Sequence, residues 1–342
     1  MKTILITGGA GFIGSNFVRH LYRHYPDYRL LVLDALTYAG SVRNLPEDGF
    51  DSERFQFWYG NVRNGELVDS LVAQSDIVVH FAAETHVTRS IYDNFQFFET
   101  DVIGTQVVAN AVLKYRERVE LFIHVSTSEV YGTALTDTMS EEHPLNPMSP
   151  YAAAKCGADR LVHSYWATYQ LPAVIVRPFN NFGPNQHLEK LIPRFITSCL
   201  LGEPLRLHGD GQASRDWMHV EDHCRALDLI LHSPAKRMAG QVLNIGSGVS
   251  RRIVDIADAV REIMGTPEIP THFIDRRPGQ VFRHTADISR IKYLLDWEPR
   301  VSFEDGLART VEWYRASGDW WKPQLWMRDI PVTTPSGTRA IH

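Results

Sequence analysis

The stretch Gly8-Gly9-Ala10-Gly11-Phe12-Ile13-Gly14 constrains this chain more than any other, because it lies between a short apolar run at 3–7 and a helical pattern at 14–24. A strand, a glycine-rich turn and a helix start in succession build an anion-binding corner, since the first amides of a helix have no partner within it. Gly8 and Gly11 permit a tight turn and a close approach of backbone to a pyrophosphate, and Gly14 lets helix and strand pack closely. Asp34 closes the next apolar run, 20 residues after Gly14, where a carboxylate accepts hydrogen bonds from an adenosine ribose. The same charge repels a 2'-phosphate, so the expected cofactor is NAD and not NADP.

Further along, residues 30–34, 55–59, 77–81 and 121–126 repeat the short apolar pattern of 3–7, and 65–73 and 95–115 have helical length and spacing. Strand and helix in alternation imply right-handed parallel crossovers, hence an α/β fold with a doubly wound parallel (Rossmann) sheet. Continuous apolar strands such as Ile77-Val78-Val79 fit a sheet covered on both faces. Past residue 178 prolines and glycines cut the chain into short pieces, and helical pattern returns at 222–232, 254–264 and 303–315 with a strand-like 241–245. The expected organisation is an NAD-binding domain at 1–178 that carries the catalytic residues, then a smaller mixed C-terminal substrate lobe at 179–330. That lobe is expected to be completed by chain crossing back to the first sheet, and 331–342 to be a loosely ordered tail.

Charge and composition narrow the partners. Among 342 residues, 35 Lys and Arg stand against 40 Asp and Glu, with no basic stripe, so nucleic acid is not an expected partner. No apolar run approaches the ~20 residues that span a bilayer. Met1 and Lys2 lead straight into the first strand, which leaves no room for a signal peptide. Cys156, Cys199 and Cys224 have no metal or redox spacing, and a reducing cytoplasm is the expected location. No metal is expected: His219 and His223 have i,i+4 spacing without a third ligand and read as a helix face. Trp313, Trp320 and Trp321 read as packing residues.

The chemistry concentrates in two segments. Ser126-Thr127-Ser128-Glu129 follows the fifth strand, and Tyr151 and Lys155 share one helix face after Pro150. A tyrosine ionises near pH ~10, so base chemistry at neutral pH needs a positive field, which Lys155 and a cationic nicotinamide ring are expected to supply.

With the glycine corner, Asp34, Tyr151 and Lys155 in hand, the chain resembles the extended short-chain dehydrogenase/reductase family. Longer strings resemble its nucleotide-sugar 4,6-dehydratase group, above all the dTDP-glucose enzymes: Asp34 to Gly40, Ala82-Ala83-Glu84-Thr85-His86-Val87, Glu189-Lys190-Leu191-Ile192-Pro193, and Arg215-Asp216-Trp217. The resemblance implies that Tyr151 removes the sugar 4-hydroxyl proton, with Thr127 bonding the oxygen and Lys155 holding the phenolate. Glu129 then takes the carbon 5 proton, and water leaves from carbon 6. It implies a cofactor site of Gly8, Gly11, Phe12, Ile13, Gly14, Asp34, Leu36, Thr37, Gly40, Asn61, Val62, Phe81, Ala82, Ala83, Thr100, Val125, Tyr151 and Lys155. For the nucleotide-diphosphate sugar it implies Glu84, His86, Thr127, Asn181, Glu189, Lys190, Leu191, Arg206, His208, Arg215, Asn244, Arg277 and Gln280. It also implies a homodimer paired through the helices at 95–115 and 152–169.

The chain departs from that group at several positions. Ser128 stands where the dTDP-glucose enzymes carry an aspartate that protonates the departing hydroxyl, and a serine is a poor proton donor. Thr-Ser-Glu resembles GDP-mannose 4,6-dehydratases and also UDP-glucuronate decarboxylases. Thr88, Asn61, Arg206, His208 and Gln280 replace residues typical of the sugar, adenine and nucleobase ends. Dehydration is the leading expectation. Epimerisation at carbon 4, decarboxylation or 5,6-alkene formation stand behind it, and a non-catalytic dinucleotide sensor behind those.

Overall fold

The computed structural model describes all residues except Arg277, Ile330, 334–338 and His342. Period-two alternation makes the first half a two-sided sheet. In β1 (Lys2–Thr7) Ile4 and Ile6 face one way and Leu5 the other, and all three are buried. β2 (Tyr28–Asp34), β3 (Phe55–Tyr59), β4 (Ile77–His80), β5 (Leu121–Val125) and β6 (Ala173–Pro178) follow, with helices between them. The chain then enters the smaller lobe through β7 (Asn180–Phe182), β8 (Leu205–His208) and β9 (Ser214–His219), and returns as β10 (Val242–Ile245). β11 (Ser250–Arg252) and β12 (Thr271–Ile274) complete that lobe.

The central sheet has the order β10-β6-β5-β4-β1-β2-β3, and every pair in it is parallel. On one face Ile4, Ile6 and Val32 pack against Phe17 and Leu21 of the helix Phe12–His24 and Leu227 of the helix Val220–His232. On the other, Leu5, Leu31 and Leu33 meet Leu71, Val108, Val112 and Val162 from the remaining helices. The chain order reverses between β1 and β4, and such a reversal opens a crevice at the strands' carboxyl ends. A separate core in the smaller lobe joins Phe195, Val260, Leu307 and Tyr314 with Trp320 and Trp321, and Trp313 packs against it.

Several features differ from the sequence reading. β6 was not anticipated, although Val174-Ile175-Val176 before Pro178 carries the β-branched signal. The helix expected at 95–115 widens into π-type turns over Phe98–Gly104, which turn Asp101 inward so that its Oδ1 accepts from the Glu84 amide at 2.8 Å. A short helix, Val87–Tyr92, begins at His86. In the tail, Pro331–Thr333 pairs with Arg339–Ile341, and 334–338 and His342 lie outside the described residues. Among the described residues no helix is long and apolar enough to cross a membrane.

The helix Pro150–Tyr169 is seated by a buried ion pair. Proline opens it, and Ser149 caps it by accepting from the Ala152 amide at 3.2 Å. Arg177 on β6 grips Asp159 through two bonds of 2.8 and 3.0 Å, and Ser126 donates to the same carboxylate at 2.8 Å. Burial opposes the Asp159 charge, but Arg177 and Arg160 hold its pKa below the ordinary carboxylate range. Removing one partner leaves Arg177, 2% exposed, without its counter-charge. Asp159→Ala is therefore expected to lower unfolding free energy by about 3–5 kcal/mol, read by urea denaturation, and a loss under ~1 kcal/mol would contradict this assignment.

Candidate active site

The carboxyl ends of the central strands enclose one cavity of about 340 Å³, lined from the glycine corner to Tyr151 and onward to Glu189 and Lys190. Gly8 has φ +69°, and a Cβ there would lie 2.5 Å from the Ala82 amide nitrogen at the end of β4. A Cβ on Gly14 would lie 2.3 Å from the Gly8 carbonyl oxygen. Both positions thus admit only glycine, one for conformation and contact, the other for contact alone. Asp34 organises the corner: Oδ2 accepts from the Ala10 amide at 2.9 Å and Oδ1 from the Leu36 amide at 2.8 Å. Burial pushes the Asp34 carboxyl up, against the pull of the Leu36, Ala10 and Gly11 amides.

Thr127, Ser128, Glu129, Tyr151 and Lys155 all line this cavity. Thr127 caps the short turn Ser128–Tyr131, accepting from the Glu129 amide at 3.2 Å. Burial raises the Tyr151 pKa, Asp101 and Glu129 add to the rise, and Thr127 works against it. Lys155 is buried and donates to the Val125 carbonyl oxygen at 2.8 Å. Its ammonium is therefore held by the end of β5, and the field expected at the phenol is not supplied by a direct bond from Lys155. Burial lowers the Lys155 pKa, while Asp101 and Asp159 raise it.

At the other end, Glu189 joins segments far apart in sequence. Tyr38 donates to its Oε1 at 2.9 Å, Lys190 Nζ lies 3.0 Å from that oxygen, and His86 Nε2 lies 3.1 Å from Oε2. Burial opposes the Glu189 charge, but Lys190, His86 and His187 bring its pKa down to about 2.

Of the residues expected at the cofactor, all but Leu36 line the cavity; Leu36 turns away at φ +47° and packs against the core. Of those expected at the substrate, Glu84, Thr127, Asn181, Glu189 and Lys190 line it. His86 lies off the cavity wall with its Nε2 at ion-pair distance from Glu189 Oε2. Leu191 opens the helix Leu191–Leu201 off the cavity, where it packs against the smaller lobe's core. Asn244 lies off the cavity wall: it is fully buried, accepts from Tyr131 Oη at 2.7 Å and donates to the Met139 carbonyl at 2.8 Å. Arg206, His208, Arg215 and Gln280 also lie off the cavity wall, and Arg277 is outside the described residues. Arg206 is half-exposed and 3.7 Å from Asp329, and His208 meets the Asp275 carbonyl oxygen at 2.9 Å. The terminal nitrogens of Arg215 donate to the Ser214 and Val281 carbonyls at 2.9 and 2.7 Å. His219 caps the helix Val220–His232, and His223 meets Asn181 Oδ1 at 3.2 Å. Sequence reasoning missed Phe179, Asn180, Gln186 and His187, which line the cavity from β7 and the segments that flank it.

The arrangement fits a dinucleotide. The glycine corner has close backbone and no side chain in the way, a carboxylate stands at the end of β2, and a phenol with a buried ammonium stands at the far wall. A doubly wound sheet carrying these groups in one cleft defines a short-chain dehydrogenase/reductase of the extended type.

Comparison with known proteins agrees. The family model described as GDP-mannose 4,6 dehydratase matches residues 5–310, and the chain belongs to that family. It is 46% identical over 312 residues to the low-salt glycan biosynthesis protein Agl12 of Haloferax volcanii, covering 91% of this chain and 98% of that one. It is 43% identical over 323 residues to a dTDP-glucose 4,6-dehydratase of Actinoplanes, covering 93% and 99%. The crystal structure of the dTDP-glucose 4,6-dehydratase DesIV from Streptomyces venezuelae, with NAD and TYD bound, superposes with a TM-score of 0.89 at 42% identity, covering 94% and 99%.

Proposed function

We propose that this protein is an NAD-dependent NDP-hexose 4,6-dehydratase, acting on dTDP-glucose or a related NDP-hexose. The observation that carries the reading is the presence of Thr127, Tyr151, Lys155 and Glu129 together in the lining of one cavity. NAD, when bound, supplies the acceptor for the carbon 4 hydride and gives it back at carbon 6. Tyr151 accepts the 4-hydroxyl proton, and Thr127 holds the oxygen in place. Burial keeps the free phenol protonated at neutral pH, so ionisation of Tyr151 belongs to the ligand-bound state, with the Lys155 ammonium fixed nearby by Val125. The carbon 4 ketone acidifies carbon 5, and Glu129 is the base for that proton. Lys190, which lines the cavity and is held against Glu189, faces the sugar. Purified protein incubated with a panel of NDP-sugars tests the assignment by product mass. Loss of one water is expected; loss of carbon dioxide, or an isomer of unchanged mass, would replace this reading with decarboxylation or 4-epimerisation.

Asp34 sets the cofactor. A carboxylate beside a 2'-phosphate costs more than the ~1.4 kcal/mol that corresponds to a factor of ten, so NADP is expected to bind at least tenfold more weakly than NAD. Equal affinities by calorimetry would remove this assignment.

The residues at 1–178 form the cofactor domain in this reading and 179–330 the substrate lobe, and the protein works in the cytoplasm as a homodimer. Phe95, Phe98 and Ile103 support the dimer: they are exposed large apolar side chains on one of the two helical segments expected to pair. Sedimentation at micromolar concentration is expected to show twice the 39.0 kDa chain mass, and a 39.0 kDa species alone would contradict it.

A further inference from the structure

The serine at position 128 leaves the departing hydroxyl without an acid, and the structure shows what stands behind it. His284 is fully buried, with Nδ1 3.4 Å from Ser128 Oγ and 4.0 Å from Glu129 Oε1. Its other ring nitrogen, Nε2, lies 2.5 Å from the Gly132 carbonyl oxygen. A carbonyl only accepts, so Nε2 carries the hydrogen, and the neutral ring presents its lone pair at Nδ1 to the Ser128 hydroxyl. The segment around it is pinned from two sides: the His284 amide donates to the Ser214 carbonyl at 3.2 Å, and the Ala134 amide donates to the Arg283 carbonyl at 3.1 Å. Phe179, which lines the cavity, packs edge-on to the ring at 6.1 Å.

We infer that His284 is a positioning and proton-relay residue that couples Glu129 to Ser128 and so lets a serine serve where a carboxylic acid is expected. The inference rests on the dehydratase reading above. Glu129 takes the carbon 5 proton, and the electron pair of that C–H bond forms the C5=C6 double bond as the C6–O bond breaks. Ser128 gives its hydroxyl proton to the departing oxygen, which leaves as water. Nδ1 of His284 receives the proton held by Glu129 and returns one to Ser128, so carboxylate, imidazole and hydroxyl end as they began. No outside proton donor is needed for the elimination. Burial lowers the His284 pKa, with Arg215 and His143 acting in the same direction and Glu129 and the Gly132 carbonyl against them, so the resting ring is neutral and Nδ1 is open.

His284→Gln keeps an amide donor for the Gly132 carbonyl and removes the relay nitrogen. In a single turnover with dTDP-glucose, oxidation at carbon 4, followed by cofactor absorbance, is expected to keep its rate. Water loss, followed by product mass, is expected to fall about 10²-fold. Adding Ser128→Asp to the same variant supplies an acid that needs no relay, and is expected to bring water loss back to within about tenfold of the native rate. Water loss at the native rate in His284→Gln overturns the inference. So does an equal loss of oxidation and elimination that Ser128→Asp does not rescue, because the ring would then only support the fold. If the native protein itself removes no water from any NDP-hexose, the dehydratase reading falls and takes the relay with it.

Discussion

Glu129→Gln is expected to stop the reaction after its first half, with the 4-keto sugar accumulating and water loss falling by 10²-fold or more. Two other glutamates line the cavity, so the choice of Glu129 needs an argument. Glu189 is committed to Tyr38, Lys190 and His86. Glu84 is buried beside Asp101, whose carboxylate takes its amide hydrogen. Only Glu129 sits on the Thr127 turn, and it is one of the charges that raise the Tyr151 pKa, so it is the glutamate nearest the chemistry assigned to Tyr151 in the dehydratase reading. The substitution keeps shape and removes the base. A Glu129→Gln variant that turns over normally by product mass would defeat the assignment.

Tyr151→Phe is expected to act one step earlier, lowering carbon 4 oxidation by about 10²- to 10⁴-fold while NAD affinity, measured by calorimetry, stays within a few-fold of native. The phenol is buried, and Asp101 and Glu129 join burial in raising its pKa. Lys155 also lines the cavity, and its ammonium is already donating to the Val125 carbonyl. Oxidation at a native rate in this variant, read by cofactor absorbance, would mean that a different base acts.

The two ends of the site differ in how far sequence discloses them. The glycine corner, Asp34 and the Tyr151–Lys155 pair were legible because each depends on local geometry: a turn, a strand end, one helix face. Lys155 satisfied the spacing and yet bonds to Val125, since a buried ammonium needs an acceptor that spacing does not reveal. The bond from Tyr38 to Glu189 spans 151 positions and appears only when the sheet assembles. The surroundings of Asn244 are hidden from sequence for the same reason: it sits on β10, which crosses back into the central sheet, and its amide is used there by Tyr131 and Met139. His284 carried no motif at all. Its importance comes from the segment 283–285 being clamped between the turn after β5 and β9, a tertiary fact.

The fold followed from alternation and was easier to read than the substrate end. Strands such as β1 and β2 bury both faces, and the apolar runs state this directly. The widened turns at Phe98–Gly104 left no comparable trace, because a π-type turn uses the same residues as an α-helix and is selected by packing. Here a Cβ on Gly104 would come within 2.7 Å of Val62.

The most direct test of dehydration is to run the native protein with dTDP-glucose in heavy water and read the product by mass and by deuterium position. Removal of the carbon 5 proton by Glu129 and its replacement from solvent predict a product lighter by one water that carries deuterium at carbon 5. An isomeric product of unchanged formula with no deuterium at carbon 5 would contradict the account and identify simple inversion at carbon 4.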